Sequence, residues 1–274
     1  MAAGKNVSAV YEEPAFDAIA EEYDRIFTDS VIGRAQRSLV HAALRDRFYS
    51  GQRVLEFNCG TGEDAIYLAS LGVSVVACDI SSRMIRVASR KVRARKAAMP
   101  VTFVVCANEH LDSLCDRGLF DGALSNFGGL NCVADLAGVA QAMEKLIRPG
   151  GQLFLCFVGR FCLWEILWYC ARGKWSKAFR RFKCDGHTAS IGGKSLRVFY
   201  PSAPEVRAAF SPAFRLEWWR GIGVLLPPSW MEPFFRSRPG LVSWLTRIDA
   251  WLGELWMFRG TADHVLFRFV RESQ

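Results

Sequence analysis

Val54-Leu55-Glu56-Phe57-Asn58-Cys59-Gly60-Thr61-Gly62-Glu63-Asp64-Ala65 is the stretch that decides the fold. A short apolar run enters a glycine turn, and the turn opens a helical pattern that stops at Gly72. Strand, tight turn and helix in that order begin a βαβ unit, and the glycines let a ligand come close to the backbone. The rhythm then repeats. Residues 73–78 read as a strand that ends at Asp79, and 82–98 as a helix that Ser81 or Ser82 can cap. Strands follow at 101–106, 120–125 and 152–158, with a helix over 133–147 closed by Pro149-Gly150-Gly151. Strands alternating with helices predict a parallel sheet with right-handed crossovers.

On the N-terminal side, residues 1–29 are an acidic lead-in with a helical apolar stripe of Phe16, Ile19, Ala20, Tyr23 and Phe27, and 31–48 form an amphipathic helix. On the C-terminal side the rhythm changes. Residues 161–182 read as one long helix rich in Trp and Arg, and 188–200 as a hairpin turning at Gly192-Gly193. A helix at 202–210, a strand at 215–226, a helical stretch at 230–258 interrupted at Pro233 and Pro239, and a strand at 264–271 complete the chain.

The 274 residues are 51% hydrophobic and 23% charged, which excludes disordered, collagenous and coiled-coil classes. A chain of this length buries a sizeable core without a disulfide or metal staple. Its nine cysteines include no CxxC pair, and several sit inside apolar runs, which fits a reducing, cytoplasmic setting. Cys106, His110 and Cys115 match no common zinc spacing, so no metal is expected. The acidic N-terminus lacks the apolar core of a signal peptide, and no uncharged apolar run reaches the roughly 18 residues of a membrane span.

Charge around the turn separates two cofactor classes. A dinucleotide would set its pyrophosphate on the helix N-terminus, beside Glu63 and Asp64, with Glu56 at the strand end. S-adenosylmethionine carries an ammonium and a sulfonium and no phosphate, so the carboxylates suit it. Asp79 stands where an acid can accept both ribose hydroxyls, or where it merely caps the next helix. Ile80 and Met84 can pack on an adenine.

These residues resemble a class I S-adenosylmethionine-dependent methyltransferase of the small-molecule branch, similar to the type-11 methyltransferases. The stretch from Glu56 to Gly62 resembles the first motif, Cys78-Asp79-Ile80-Ser81 the second, and Phe120 to Asn131 the fourth. Leu146 to Gly151 resembles the turn that follows, and Phe16-Asp17 to Tyr23-Asp24 the N-terminal cap. The resemblance implies an α/β, Rossmann-like, seven-stranded, mostly parallel sheet with helices on both faces and an antiparallel last strand. A single domain is expected, with a helical cap (1–48), a cofactor-binding core (50–158), a lid insertion of helix and hairpin after strand 5 (160–212) and a C-terminal part (213–274). The implied reaction is methyl transfer to a small or medium-sized, largely apolar acceptor, with S-adenosylhomocysteine as product. Two positions depart from the family: Asn58 replaces a glycine of the first motif, and Ala107 replaces the acid that touches the adenine amino group. Asn108 and Glu109 are the neighbours that can serve instead. In this reading Cys59, Gly60 and Gly62 form the cofactor turn.

Other residues carry two readings each. Asn126 or Phe127 can face the methionyl part and Asn131 the substrate, or all three form an ordinary turn. Tyr23 closes over the sulfonium or packs in its helix. Arg37 pairs the methionine carboxylate or lies on a solvated face. His187, at the mouth of the hairpin, is the candidate general base, while His41 and His264 read as structural. Residues 160–220 hold 12 Lys/Arg and 4 Asp/Glu, a balance of +8 that equals the net charge of the whole chain. A lid helix, a membrane-surface helix and an RNA-binding face are the three readings of that region. The lid reading turns the stripe of Leu163, Leu167, Cys170 and Ala171 inward, with Trp164 and Trp168 beside it as substrate contacts, and Arg180 and Arg181 outward.

Overall fold

The computed structural model describes residues 14–95, 98–183 and 186–273. The expectations for residues 1–13, for the helix at 96–97 and for Cys184 fall outside the described residues. A 3-10 turn (Ala15–Ile19) and a π-helical turn (Asp24–Thr28) lead into α1 (Val31–Arg45), so the cap is two short turns and not one amphipathic helix. The core follows as β1 (Arg53–Phe57), α2 (Glu63–Ser70), β2 (Ser74–Asp79), α3 (Ser82–Arg93), β3 (Val101–Val105), β4 (Phe120–Ser125), α4 (Leu136–Leu146) and β5 (Ile147–Val158). Ser81 caps α3 by accepting from the Met84 amide at 3.0 Å, which settles the choice between the two serines. Asp135 caps α4 by accepting from Gly138, so that helix starts three residues later than its apolar pattern suggests.

The segment read as one helix over 161–182 is broken. It forms α5 (Leu163–Cys170), α6 (Trp175–Ala178) and a 3-10 turn (Arg180–Phe182). Gly173, at φ +66°, is the residue that turns the chain. A separate hairpin follows, β6 (His187–Ile191) with β7 (Lys194–Val198), turning at Gly192 and Gly193 as expected. Then come α7 (Ala203–Phe210), β8 (Phe214–Ile222), a 3-10 turn (Ser229–Met231), α8 (Glu232–Phe235), α9 (Pro239–Leu252) and β9 (His264–Arg271). Pro233 and Pro239 stand in the first turns of α8 and α9. They start helices there, because a first-turn proline forfeits no intrahelical hydrogen bond.

The seven-stranded sheet runs β3-β2-β1-β4-β5-β9-β8. The first five strands are parallel, and β9 is antiparallel to both neighbours. Alternation sorts β1: Val54 packs with α1 and α2, and Leu55 and Phe57 with the opposite layer that includes α4 and α7. Glu56 shares the face of Val54 and so points a carboxylate into the α1–α2 layer. Fully buried Phe154 and Phe157 sit on opposite faces of β5. Each contributes about 1.5–3 kcal/mol of apolar burial. The crossover between β1 and β4 brings the carboxyl ends of β1, β2, β4 and β5 to one edge, where α/β sheets bind ligands.

Candidate active site

The glycine turn is wound left-handed at three positions: Asn58 (φ 59°), Gly60 (φ 52°) and Gly62 (φ 74°). A Cβ at Gly60 would meet only open space, whereas one at Gly62 would strike Ala88 and Phe103. Gly62 is needed for close packing of α2 on its neighbours, and Gly60 keeps the rim of the turn open. Asn58 tolerates the left-handed region better than other side chains. Its Nδ2 donates to Ser125 Oγ at 3.0 Å, tying the end of β1 to the end of β4. A Cβ at Gly129 would collide with the Asn58 side chain.

Asp79 bridges the turn and the next helix. Its Oδ2 accepts from the Gly60 amide at 2.9 Å and its Oδ1 from the Ser81 amide at 2.8 Å. Each oxygen retains a further lone pair, so the capping and ribose-binding readings are compatible. Burial raises the pKa of Asp79.

Asp64 is the centre of a buried polar cluster. Its carboxylate takes Arg37 Nη1 at 2.5 Å, His41 Nε2 at 2.6 Å and Asn126 Nδ2 at 3.0 Å. Arg37 is thus buried, and the solvated-face reading fails. Glu63 pairs with Lys91 at 2.8 Å, and Lys91 also holds Asp24 at 2.9 Å. The acids beside the helix N-terminus are therefore neutralised, and the charge argument against a pyrophosphate is weaker than the sequence suggests. Glu56 is the acid left over. It is buried, its Oε2 has no partner, and burial followed by Asp64 pushes its pKa well up.

The cap closes over this edge. Thr61 Oγ1 donates to Asp24 at 2.6 Å, and Ser81 Oγ donates to Asp17. Met84, expected on the adenine, is buried with Ala20 and Val87, against Phe16 and Tyr23 of the cap. Ile80 is exposed at the rim. Tyr23 lies 5.9 Å from Phe27, and burial pushes its phenol up to about 12, so it stays neutral at physiological pH. Phe127, with φ 49°, places its ring between the Arg37 guanidinium (4.8 Å), Phe27 (5.0 Å) and His264 (5.2 Å). Asn126 Oδ1 accepts from the Phe127 amide. Asn108 and Glu109 start the 3-10 segment Asn108–Arg117 after β3, Asn108 half-buried and Glu109 exposed. Cys59 is buried, which raises its thiol pKa.

Among the described residues, buried polar atoms without hydrogen-bond partners include Thr28 Oγ1, Gln36 Oε1, Arg37 Nε and Glu56 Oε2. Arg37 and Asp64 both act electrostatically on the Glu56 carboxyl, which puts the free Arg37 N–H and the free Glu56 oxygen in one region. A free Arg37 N–H and a free Glu56 oxygen are the polarity that the carboxylate and ammonium of an amino-acid zwitterion require.

The expected substrate residues make contacts of their own within the protein. Asn131 is buried and both of its N–H donors are engaged: Oδ1 accepts from the Val158 amide at 2.8 Å, and Nδ2 donates to Val158 O at 3.2 Å and Phe199 O at 2.6 Å. It clamps the exit of the hairpin to β5. Trp164 donates Nε1 to Leu225 O at 3.0 Å and meets Phe235 edge-on. Trp168 lies 5.4 Å from both Trp230 and Phe234. Both tryptophans hold α5 against segment 225–235. The inward stripe is a correction: Leu163 and Leu167 face solvent, and Glu165 is the buried residue of α5. Glu165 turns inward because Arg181 Nη2 meets it at 2.6 Å and Arg180 Nε at 2.6 Å. Arg181, expected outward, is buried and also holds Asp263 at 2.9 Å. His187 opens β6 beside Arg180, Lys183 and Glu165, and burial followed by those cations lowers its pKa. The hairpin tip reaches the cap, since a Cβ on Gly192 would collide with Ala18.

Several members of the site escape the sequence: the hub role of Asp64, the Asp24–Lys91 and Asp17–Ser81 links, and His264, whose Nδ1 lies 3.3 Å from Asp263 Oδ2. Apart from His264, whose partner is its neighbour in the chain, their partners lie 23 to 67 residues away, and no local spacing signals them.

Comparison with known proteins agrees with this geometry. Residues 54–151 match the model of a methyltransferase domain family. The chain is 32% identical over 151 residues to a tRNA 5-carboxymethoxyuridine methyltransferase of Escherichia coli K12, covering 52% of this chain and 55% of that protein. It is 30% identical over 141 residues to a demethylmenaquinone methyltransferase of Clavibacter sepedonicus, with the same two coverages. The chain thus spans about half the length of the curated relatives it matches. Among solved structures, the CcbJ methyltransferase of Streptomyces caelestis superposes with a TM-score of 0.62 at 15% identity, over 96% of this chain and all of that one, which shows the shared fold. Turn, strand order and sequence match together identify residues 54–151 as a class I methyltransferase domain, whose family cofactor is S-adenosylmethionine.

Proposed function

We propose that this protein transfers the methyl group of S-adenosylmethionine to a small or medium-sized, largely apolar acceptor. The observation that carries the reading is the pair of buried, unpartnered polar atoms, the carboxyl oxygen Glu56 Oε2 and the guanidinium donor Arg37 Nε, beside a left-handed glycine turn under Asp79. In this arrangement Asp79 takes the ribose hydroxyls, Glu56 the ammonium and Arg37 the carboxylate. Phe127 and Tyr23 supply aromatic surface toward the sulfonium, which such faces favour. The cofactor supplies an electrophilic methyl group when bound. The protein's part is to hold the acceptor aligned and to exclude water with the cap and insertion.

Two observations support an apolar acceptor. A cavity of about 170 Å³ at the carboxyl end of β5 is lined by Phe157, Phe161, Phe182, Trp219 and Phe267 among others. One relative is named for a demethylmenaquinone substrate. An acceptor of that character resides at membranes, so the proposal extends to a peripheral membrane contact. The basic insertion and the tRNA-modifying relative favour RNA as the second reading.

Calorimetry with S-adenosylmethionine and with NAD tests the cofactor, with Asp79→Ala as the control expected to weaken binding at least tenfold, roughly one charge-assisted hydrogen bond. Turnover to S-adenosylhomocysteine with quinone, phenol and tRNA acceptors tests the reaction. Binding of NAD alone would overturn the cofactor, and binding without turnover of any acceptor would make this a silent binding protein.

A further inference from the structure

We propose that α5, α6 and segment 229–238 form one surface that docks on a bilayer containing anionic lipid. The surface is built the wrong way round for a soluble face. The carboxylate of α5, Glu165, is buried in ion pairs, while Leu167 is 60% exposed. Trp175 is 61% exposed and Phe234 53%. Ring contacts make the patch continuous across the two segments: Trp168 touches Trp230 and Phe234, and Tyr169 lies 6.0 Å from Trp230. Exposed apolar clusters of this kind mark interaction surfaces, and Trp and Phe are the side chains that settle at a lipid headgroup level.

Charge names the partner. Arg172, Lys174, Lys177, Arg236 and Arg238 are exposed around the aromatic residues. Arg172 lies 3.4 Å from the Trp168 ring and Lys177 6.0 Å from Tyr169. Both acids of residues 161–182 and 229–238 are turned away: Glu165 holds Arg180 and Arg181, and Glu232 accepts from the amides of Val31 and Ile32. A face that shows indole, phenyl and leucine with cations and no free carboxylate is complementary to a negatively charged interface. No helix among the described residues is long and apolar enough to cross a membrane, so the contact lies in the interface plane.

The inference deepens the apolar-acceptor reading by giving the protein the place where such an acceptor resides. Its evidence is independent of that reading, and so is its test. The full chain is sedimented with vesicles of phosphatidylcholine alone and mixed with phosphatidylglycerol, without cofactor or acceptor, at low and high salt. The parent should bind the mixed vesicles and leave them as salt rises. Lys174→Glu with Lys177→Glu should weaken binding by at least about fivefold per charge, while Trp175→Ser with Phe234→Ser should weaken it at every salt concentration. All variants should bind S-adenosylmethionine as the parent does, since these side chains are exposed and belong to none of the elements that form the glycine turn. Failure of the parent to bind mixed vesicles overturns the proposal. So do variants that bind them like the parent, tRNA binding lost in both variants without vesicle binding, and a patch buried in a dimer by ultracentrifugation. Vesicle binding in a protein that binds no S-adenosylmethionine would leave this inference standing and remove the proposed function.

Discussion

Replacing Arg37 with lysine separates two tasks that one side chain performs. In the parent, Nη1 meets Asp64 Oδ2 at 2.5 Å, while Nε–H is buried without an acceptor and the guanidinium stacks on Phe127 at 4.8 Å. A lysine ammonium keeps a positive charge beside Asp64. It therefore avoids the cost of a buried carboxylate stripped of its cation, about 3–5 kcal/mol. Loss of the planar fork and of stacking costs roughly 1 kcal/mol of stability. The ammonium has no second donor at the place of Nε. If Nε holds the cofactor carboxylate, one charge-assisted hydrogen bond disappears, about 1.5–3 kcal/mol, and S-adenosylhomocysteine binds about ten- to hundredfold more weakly. 5′-Methylthioadenosine has the same nucleoside and thioether but neither carboxylate nor ammonium, so its affinity should not change. Calorimetry of both proteins against both ligands, with thermal unfolding as the check on folding, decides the matter. An equal loss for the two ligands, or no loss for S-adenosylhomocysteine in a folded variant, refutes the assignment.

Asn58→Gly should preserve or tighten cofactor binding, while Asn58→Val, forced into the same left-handed turn, should lose about 1–2 kcal/mol of stability along with affinity; calorimetry and urea unfolding measure both. Glu56→Gln should weaken cofactor binding yet stabilise the free protein near neutral pH. Burial raises the folded pKa of Glu56 above its unfolded value, so its favourable contribution is complete below the ordinary carboxylate range and is lost as pH rises. The variant's advantage should therefore grow from about pH 4 upward, and a difference independent of pH in thermal unfolding would count against a raised Glu56. Arg181→Met removes the cation that Glu165 and Asp263 share, leaving Glu165 with Arg180 and Asp263 with His264, and should cost about 3 kcal/mol in urea unfolding. A loss within the range of an ordinary surface substitution would show that the insertion does not depend on this ion cluster.

The parallel core was legible because each strand is a short apolar run between turn residues, and the crossovers leave little choice of order. The glycine turn and Asp79 were legible for the same reason, since strand, turn and acid lie within some 25 residues of one another. The insertion was misread because its apolar periodicity is genuine but points outward. What turns α5 over is Glu165, and its partners Arg180 and Arg181 come 15 and 16 residues later. A helical stripe tells which residues share a face, and only tertiary ion pairs tell which face is inside. Asn131 shows the same limit. A polar residue in a loop at a strand end suits a ligand, but its amide is consumed by the backbone of Val158 and Phe199.

The collision foreseen between a side chain at position 129 and that of Asn58 has an evolutionary meaning. The two positions form a reciprocal pair in which a side chain on one leaves no room for a side chain on the other. A lineage could acquire Asn58 only after glycine stood at 129, and once Asn58 is present the glycine is locked in. Glycine in place of Asn58 would remove the three atoms nearest to a side chain at the partner position. The same substitution at 129 should thus be better tolerated with glycine at 58 than with Asn58, a dependence of one position on the other that the order of mutations must respect.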